Sequence, residues 1–293
     1  MTATASTPEC NAVLATVADA RTALFVPGDR PDRFAKACAS DADIVIIDLE
    51  DAVAAGEKAN ARRQACQALA PGAEASVRAL VRVNPKDSDW FEADVEALQG
   101  LVSQPGHGLL GFVLPKAEEP EQVLAARRRV PAGLALVALI ESARGVANAV
   151  GIAQVPGVTR LAFGAVDFAL DIDAGSEPRA LDYARSAIVV ASRAANITAP
   201  LDTPSLAIKD LARVAEDARL GRSFGFSGKL CIHPAQLSAA TTAHVPTQEE
   251  IDWAQQVITV SDTGAAQANG EMIDRPVIKR ALRILTRAGK NHS

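Results

Sequence analysis

From about residue 22 to about residue 240, short runs rich in Val, Ile, Leu and Phe alternate with longer stretches whose apolar positions recur at helical spacing. The short runs are TALFV (22–26), DIVIID (43–48), ALVRV (79–83), GFVLP (111–115), ALVALI (135–140), TRLAFG (159–164), NITAPL (196–201) and GKLCIH (228–233). Several are almost wholly apolar, as a strand is when both of its faces are covered. Between them, PDRFAKACAS, EKANARRQACQAL, EEPEQVLAARRRV and TPSLAIKDLARVAEDARLG carry Ala, Leu or Val on one side and charge on the other, the pattern of helices laid against a sheet. Eight such units without a break in composition predict one closed (β/α)8 barrel, the TIM-barrel architecture, over residues 21–245. An open doubly wound sheet gives much the same local pattern, so closure is inferred from the count of eight.

The flanks read differently. Residues 1–20 lack the charged start and continuous apolar run of a signal peptide and predict a flexible leader. Beyond the eighth unit, PTQEEIDWAQQVITVSDT predicts a long helix, followed by GAAQANG and the amphipathic RPVIKRALRILTRA, so residues 246–293 form a C-terminal helical extension. Apolar runs such as GLALVALI are too short to cross a bilayer as a helix.

Composition narrows the partners. Thirty Lys+Arg against thirty-five Asp+Glu give a net charge of −5, and neither sign gathers into a block. Nothing points to nucleic acid or an anionic membrane, so a small molecule is the expected partner. Cys10, Cys38, Cys66 and Cys231 are far apart and form no C-x-x-C pair, which predicts reduced thiols in a cytoplasmic protein.

Candidate chemistry gathers at the strand ends, where barrels of this kind place their active residues. Strand two ends in Asp48 and runs into Glu50 and Asp51; strand three carries Arg82 and then Asn84; strand four ends at Lys116. Strand five ends at Glu141, followed by Ser142 and Arg144; Asp167 follows strand six, Asp202 follows strand seven, and His233 closes strand eight. Each residue alone is equally well read as a helix cap or a solvated charge. Six or seven ionisable groups aimed at one rim, however, need a ligand or metal to neutralise them. Glu141 and Asp167, two carboxylates about one strand apart, suit Mg²⁺, which prefers oxygen and keeps some of its water. No second His stands at ligand spacing from His233, which is read as a hydrogen-bonded structural imidazole rather than a zinc ligand.

The blocks RTALFVPGDRPDRF, DIVIIDLEDAV with EKANAR, VRVNP, GFVLPKAE, ALIESARGV, LAFGAVDFALDI, FGFSGKLCIHPAQ and EMIDRP, in this order over residues 21–280, resemble the HpcH/HpaI aldolase and citrate lyase β subunit family, with its malyl-CoA lyases and pyruvate-type aldolases. The resemblance implies a barrel that binds Mg²⁺, with Mn²⁺ as a substitute, through Glu141 and Asp167. It implies that Arg82 grips the carboxylate of a 2-oxo acid, which suits the planar fork of arginine. Asp48 and Glu50 would hold water bound to the metal or steady its surroundings. Asp274, in the M-I-D motif, matches the acid that acts on the α-carbon of the thioester in the CoA-using branch, often in a neighbouring subunit's site. The CoA phosphates would lie near the first loop, where Arg21, Arg33 and Lys36 are candidates, and Lys116 is a further substrate contact. One departure is Val166, where many relatives carry an acid before the metal-binding Asp.

Together these imply a Mg²⁺-dependent carbon–carbon lyase that cleaves or forms malyl-, citramalyl- or citryl-CoA, with thioesterase activity as a companion, working as a homo-oligomer, a trimer first. The alternatives are a CoA-independent class II pyruvate aldolase, a subunit of a citrate lyase complex, and a non-catalytic barrel that binds acyl-CoA.

Overall fold

The computed structural model describes residues 8–73, 77–175, 178–262, 267–268 and 271–289, and the chain divides into two compact units, Met1–Thr241 and Thr242–Ser293. The first is built on strands β1 (Thr22–Pro27), β2 (Ile44–Asp48), β3 (Ala79–Arg82), β4 (Leu109–Leu114), β5 (Ala135–Ile140), β6 (Arg160–Phe163), β7 (Thr198–Asp202) and β8 (Gly228–Cys231). They close into a parallel barrel in chain order, with β1 paired to β8. All eight strands stand where the hydrophobic runs predict them, with ends moved by a residue or two. The largest shifts at a strand start are two residues, in β7, which begins at Thr198, and in β4, which begins at Leu109 ahead of Gly111. A Cβ at Gly111 would lie 2.2 Å from the Ala135 carbonyl oxygen, so only glycine lets β4 lie this close to β5.

Around the barrel run α1 (Pro8–Asp19), α2 (Phe34–Cys38), α3 (Lys58–Leu69), α4 (Phe91–Val102), α5 (Pro120–Arg129), α6 (Ala143–Ala147), α7 (Ala149–Ala153), α8 (Ala165–Asp171), α9 (Asp182–Ala194), α10 (Leu211–Phe224) and α11 (Leu237–His244). Strand parity separates two apolar layers. Ala23, Ile46, Leu80, Val137, Leu139, Ala162, Leu201 and Leu230 pack together inside the barrel. Their neighbours in sequence, including Leu24, Ile47, Val81, Ala138, Ile140, Phe163 and Cys231, face the helices. Full burial of one such leucine or isoleucine is worth about 1.5–3 kcal/mol, which is why the register is held so firmly.

The N-terminal end of the barrel corrects the reading of residues 1–20 as a leader. Residues 8–19 form α1, whose Val17 is fully buried, and Val13, Leu14 and Val17 pack against the barrel's inner cluster. These side chains recur at helical spacing, and the open end of the barrel gives them an apolar surface to cover. Arg160, the first residue of β6, is fully buried beneath α1. Its guanidinium donates to the carbonyls of Val17 (3.2 Å), Ala20 (2.7 Å) and Ala199 (2.7 Å) and to Ser227 Oγ (2.7 Å). Burial pulls its pKa down to about 9, against the pull of Asp19 and Asp43, and it stays charged at neutral pH.

The second unit holds α12 (Gln248–Asp262), the short antiparallel pair β9 (Gln267–Ala268) and β10 (Glu271–Met272), and α13 (Arg275–Arg287). Ile251, Ala254, Val257 and Ile258 of α12 pack on Ala281, Ile284 and Leu285 of α13. The Arg280 guanidinium lies 4.8 Å above the Trp253 ring. Among the described residues no helix is long and apolar enough to cross a membrane, and Cys38, Cys66 and Cys231 are free; Cys10 has no described side chain.

Candidate active site

Asp48, Arg82 and Glu141 share the parity of Ile46, Leu80 and Leu139, so they continue the barrel's inner face past its C-terminal rim. There a cavity of about 390 Å³ opens, lined by Asp48, Asp51, Arg82, Glu141 and Asp167 and by the apolar Phe25, Leu139, Val166, Leu230 and Ile232. Charged and apolar side chains are interleaved in this lining: the Arg82 guanidinium lies 4.9 Å above the Phe25 ring.

Arg82 organises one half of the charge. Its Nε and Nη2 donate to Asp48 Oδ1 and Oδ2, both at 2.7 Å, and its Nη1 faces Glu50 Oε2 at 2.7 Å. The fork that the sequence reading gave to a substrate is therefore filled by Asp48. Of the five N–H groups, one on Nη1 and one on Nη2 remain after these contacts. Burial works against the charge on Arg82, but the hydrogen bonds and charge of Asp48, with Glu50 and Glu141, hold its pKa above the ordinary arginine value. Burial pushes Glu50 up to about 8; Arg82 opposes the shift, while Glu141, Asp51 and Asp48 add to it. The loop that carries Glu50 is tied from below by Lys58, whose buried ammonium donates to the carbonyls of Leu49 (2.8 Å) and Glu50 (2.7 Å).

Lys116 organises the other half. Its ammonium lies 3.5 Å from Glu141 Oε1 and 3.3 Å from Asp167 Oδ2, and its backbone N–H donates to Glu141 Oε1 at 2.7 Å. This doubled contact holds Lys116 in the left-handed region, at φ 49°, a conformation that costs a non-glycine residue about 1 kcal/mol or more. Burial pushes Glu141 up to about 7, with Lys116 opposing and Asp167 adding to the rise. Glu141 also dictates its neighbour: a Cβ at Gly164 would lie 2.7 Å from Glu141 Oε2, so only glycine fits beside it.

Two carboxylates from consecutive strand ends thus reach one cation. Among the described residues no three His, Cys, Asp or Glu side chains form a ready-made metal cage. A pair of carboxylates is the donor set of a hard cation that keeps several waters, so Glu141 and Asp167 fit Mg²⁺ and do not fit zinc.

The other candidates of the first unit do not line the cavity. Arg21 precedes β1 and lies at the opposite end of the barrel, where its N–H donates to Asp43 Oδ2 (2.8 Å) and its carbonyl accepts from the Lys229 N–H (2.8 Å). It belongs to the floor, which corrects its reading as a phosphate contact of the first loop. Arg33 and Lys36 follow β1 on the mouth side, both exposed, and neither lines the cavity. Asp202 closes β7 with the parity opposite to Leu201, so it turns toward the helices, 3.5 Å from Arg185 of α9 and 3.9 Å from Lys229. His233 Nδ1 accepts from the Ala235 N–H at 3.1 Å, the structural imidazole expected. Ser142 caps α6, and Arg144 pairs with Glu119 at 3.0 Å. Asn84 donates to Asp94. In the second unit, Asp274 is exposed and caps α13, its Oδ1 accepting from the Val277 N–H at 3.0 Å. Sequence reasoning passed over Lys58, Gly164 and Thr203; the glycine of the FG pair was the one visible signal.

Comparison with known proteins agrees with this geometry. Residues 21–234 match the model of the HpcH/HpaI aldolase/citrate lyase family. A citrate lyase subunit beta-like protein of Mycobacterium tuberculosis is 36% identical over 276 residues, covering 91% of this chain and 95% of its own length. A (3S)-malyl-CoA thioesterase of Cereibacter sphaeroides is 31% identical over 276 residues, covering 92% and 94%. The crystal structure of CitE from M. tuberculosis, in complex with magnesium, acetoacetate and coenzyme A, superposes with a TM-score of 0.79 at 33% identity and covers 92% of this chain and 98% of its own. With a closed barrel, an acidic mouth and matches that span nearly its whole length, the chain belongs to the HpcH/HpaI aldolase/citrate lyase family.

Proposed function

We propose that the protein is a Mg²⁺-dependent carbon–carbon lyase that cleaves or forms a 3-hydroxyacyl-CoA thioester of the malyl, citramalyl or citryl type, giving an acyl-CoA and a 2-oxo acid. The observation that carries this reading is the convergence of Glu141 and Asp167 on one cation beside the buried Arg82. The relative solved with magnesium, acetoacetate and coenzyme A supports it.

Glu141 and Asp167 would hold the metal, which when bound would supply a Lewis acid for the oxygen next to the substrate's carboxylate. Lys116, whose ammonium rests on the same two carboxylates, would face the substrate. The two remaining N–H groups of Arg82 orient the carboxylate, and Asp48 keeps the guanidinium from turning. The apolar wall of Phe25, Leu139, Leu230 and Ile232 excludes water from the carbon that changes bonding. Asp274 exchanges the proton at the thioester's α-carbon, and Arg33 and Lys36 on the exposed first loop meet the CoA phosphates.

The test is a panel of malyl-, citramalyl- and citryl-CoA with and without Mg²⁺, read by 2-oxo acid formation and by thiol release. Oxo acid without free thiol is the lyase; thiol without oxo acid makes it a thioesterase, as its C. sphaeroides relative is named. Cleavage of free 4-hydroxy-2-oxo acids alone identifies an aldolase, and binding without turnover a non-catalytic barrel. Asp274→Asn is expected to lose acyl-CoA turnover at least about a hundredfold while keeping Mg²⁺ affinity; an unchanged rate removes Asp274 from the site.

A further inference from the structure

We infer that Thr203 and Asp171 are positioning residues that clamp α8 at its two ends and so hold Asp167 in register with Glu141; the inference rests on the metal reading above. Asp167 stands in the first turn of α8. Its side chain is 36% exposed, so packing does little to fix it and the placement of α8 decides where the carboxylate lies. The residue preceding α8, Gly164, has no side chain with which to cap it. The missing acceptor comes from another strand: the Ala165 N–H donates to Thr203 Oγ1 at 3.2 Å. At the far end of α8, Asp171 Oδ2 accepts from the Ala143 N–H at 2.7 Å, two residues beyond Glu141. One clamp joins α8 to the end of β7, and the other joins it to the segment that carries its partner carboxylate.

Thr203 is itself held from outside the cavity. Its carbonyl accepts from Lys229 Nζ at 2.7 Å, and Lys229 is 1% exposed. Lys229 lies 3.9 Å from Asp202, which faces Arg185 at 3.5 Å, a buried charge cluster between the barrel and its helices that does not line the cavity. Helix α10 packs directly on it, since a Cβ at Gly221 would come within 2.4 Å of Asp202 Oδ2. Burying an aspartate, an arginine and a lysine together is a costly way to stabilise a fold, because apolar residues of similar volume generally do as well. Anchoring the Thr203 carbonyl, and through its hydroxyl the start of α8, gives the cluster a role in the geometry of the mouth. The network of Lys229, Thr203 and Ala165 ends two residues before Asp167, which is proposed to bind metal, and loss of a contact supporting a metal ligand characteristically weakens binding by about ten- to a hundredfold.

The experiment is a calorimetric titration of the full chain with Mg²⁺, beside thermal melts without the metal. Thr203→Val keeps the shape and removes the acceptor; it is expected to weaken Mg²⁺ about tenfold. Thr203→Ser, which keeps the hydroxyl, is expected to bind within about twofold of the parent. Asp171→Ala, on an exposed helix end where folding is not at stake, should weaken Mg²⁺ by a similar factor, and Asp171→Asn, which retains an acceptor without the charge, should recover most of the loss. Lower melting midpoints with unchanged Mg²⁺ affinity in both Thr203→Val and Asp171→Ala would make the two contacts merely structural and overturn the inference alone. Absence of Mg²⁺ binding by the parent chain would overturn the metal reading, and the inference with it.

Discussion

The two ends of the barrel handle charge in opposite ways. At the floor a single cation, Arg160, is sealed from water, and its donors meet three carbonyls and a hydroxyl supplied by α1, β7 and the loop before β8. Two of those carbonyls belong to the last turn of α1 and the residue beyond it, the negative end of the helix dipole, so the cation needs no carboxylate of its own. At the mouth, the four acids Asp48, Glu50, Glu141 and Asp167 are paired with Arg82 and Lys116, and burial pushes Glu141 and Glu50 up to about 7 and 8, a rise these two cations oppose without cancelling it. A buried charge answered completely by its own chain serves the fold. A surplus of one sign, held rigidly and left over, is what a ligand of the other sign completes.

The largest expected effect breaks the mouth and leaves the floor alone. Glu141→Ala or Asp167→Ala is expected to lower Mg²⁺-dependent turnover at least a thousandfold, about 4 kcal/mol of transition-state stabilisation. The melting midpoint without metal should hold in Asp167→Ala, whose side chain is 36% exposed, and fall somewhat in Glu141→Ala, which also strands the Lys116 N–H. Full activity of either variant, or of the parent after treatment with EDTA, would contradict the reading of the site. The next effect is the mirror image. Arg160→Met strands the carbonyls of Val17, Ala20 and Ala199 beneath α1 and is expected to cost about 3 kcal/mol, or about 5–10 °C in melting midpoint for a unit of this size. Turnover per folded molecule should be unchanged at low temperature. Loss of turnover in a folded Arg160→Met protein would show that the two ends are coupled.

How much of this was legible in the sequence follows from the kind of information each feature carries. The eight strands were readable because burial on both faces leaves a run of apolar residues that nothing else explains. Asp48, Arg82, Glu141 and Asp167 were readable because each comes at or just after a strand end, where this architecture opens. Asp202 stands at a strand end too, yet it turns away from the cavity, since one residue of parity reverses its face; Leu201 beside it, packed inside the barrel, held that information. The resemblance groups Arg21 with Arg33 near the first loop, but β1 lies between them and carries the chain from floor to mouth. Helix α1 was missed because its apolar spacing is weak in isolation, and its stability comes from covering the barrel. The left-handed backbone of Lys116 and the clamps on α8 are contacts between segments, and no single stretch of sequence encodes them.

The smallest expected effect sharpens the comparison by using pH. Glu50 is 3% exposed, and its pKa is raised from the ordinary 4.5 to about 8 in the folded chain. Between these two values the folded protein keeps a proton that the unfolded chain has released, so stability falls as pH rises through the window and levels off above about 8. The contribution is fully favourable to folding only below the unfolded value, which is the reverse of a paired surface acid. Glu50→Gln removes this titration while keeping the size of the side chain. Without divalent metal, it is expected to melt close to the parent at pH 5 and a few degrees above it at pH 8.5, with a shallower fall between. A profile parallel to the parent's would mean that Arg82, at 2.7 Å, keeps Glu50 ionised throughout. The mouth would then be a balanced ion-pair network like many others, and the contrast with the floor would lose its force.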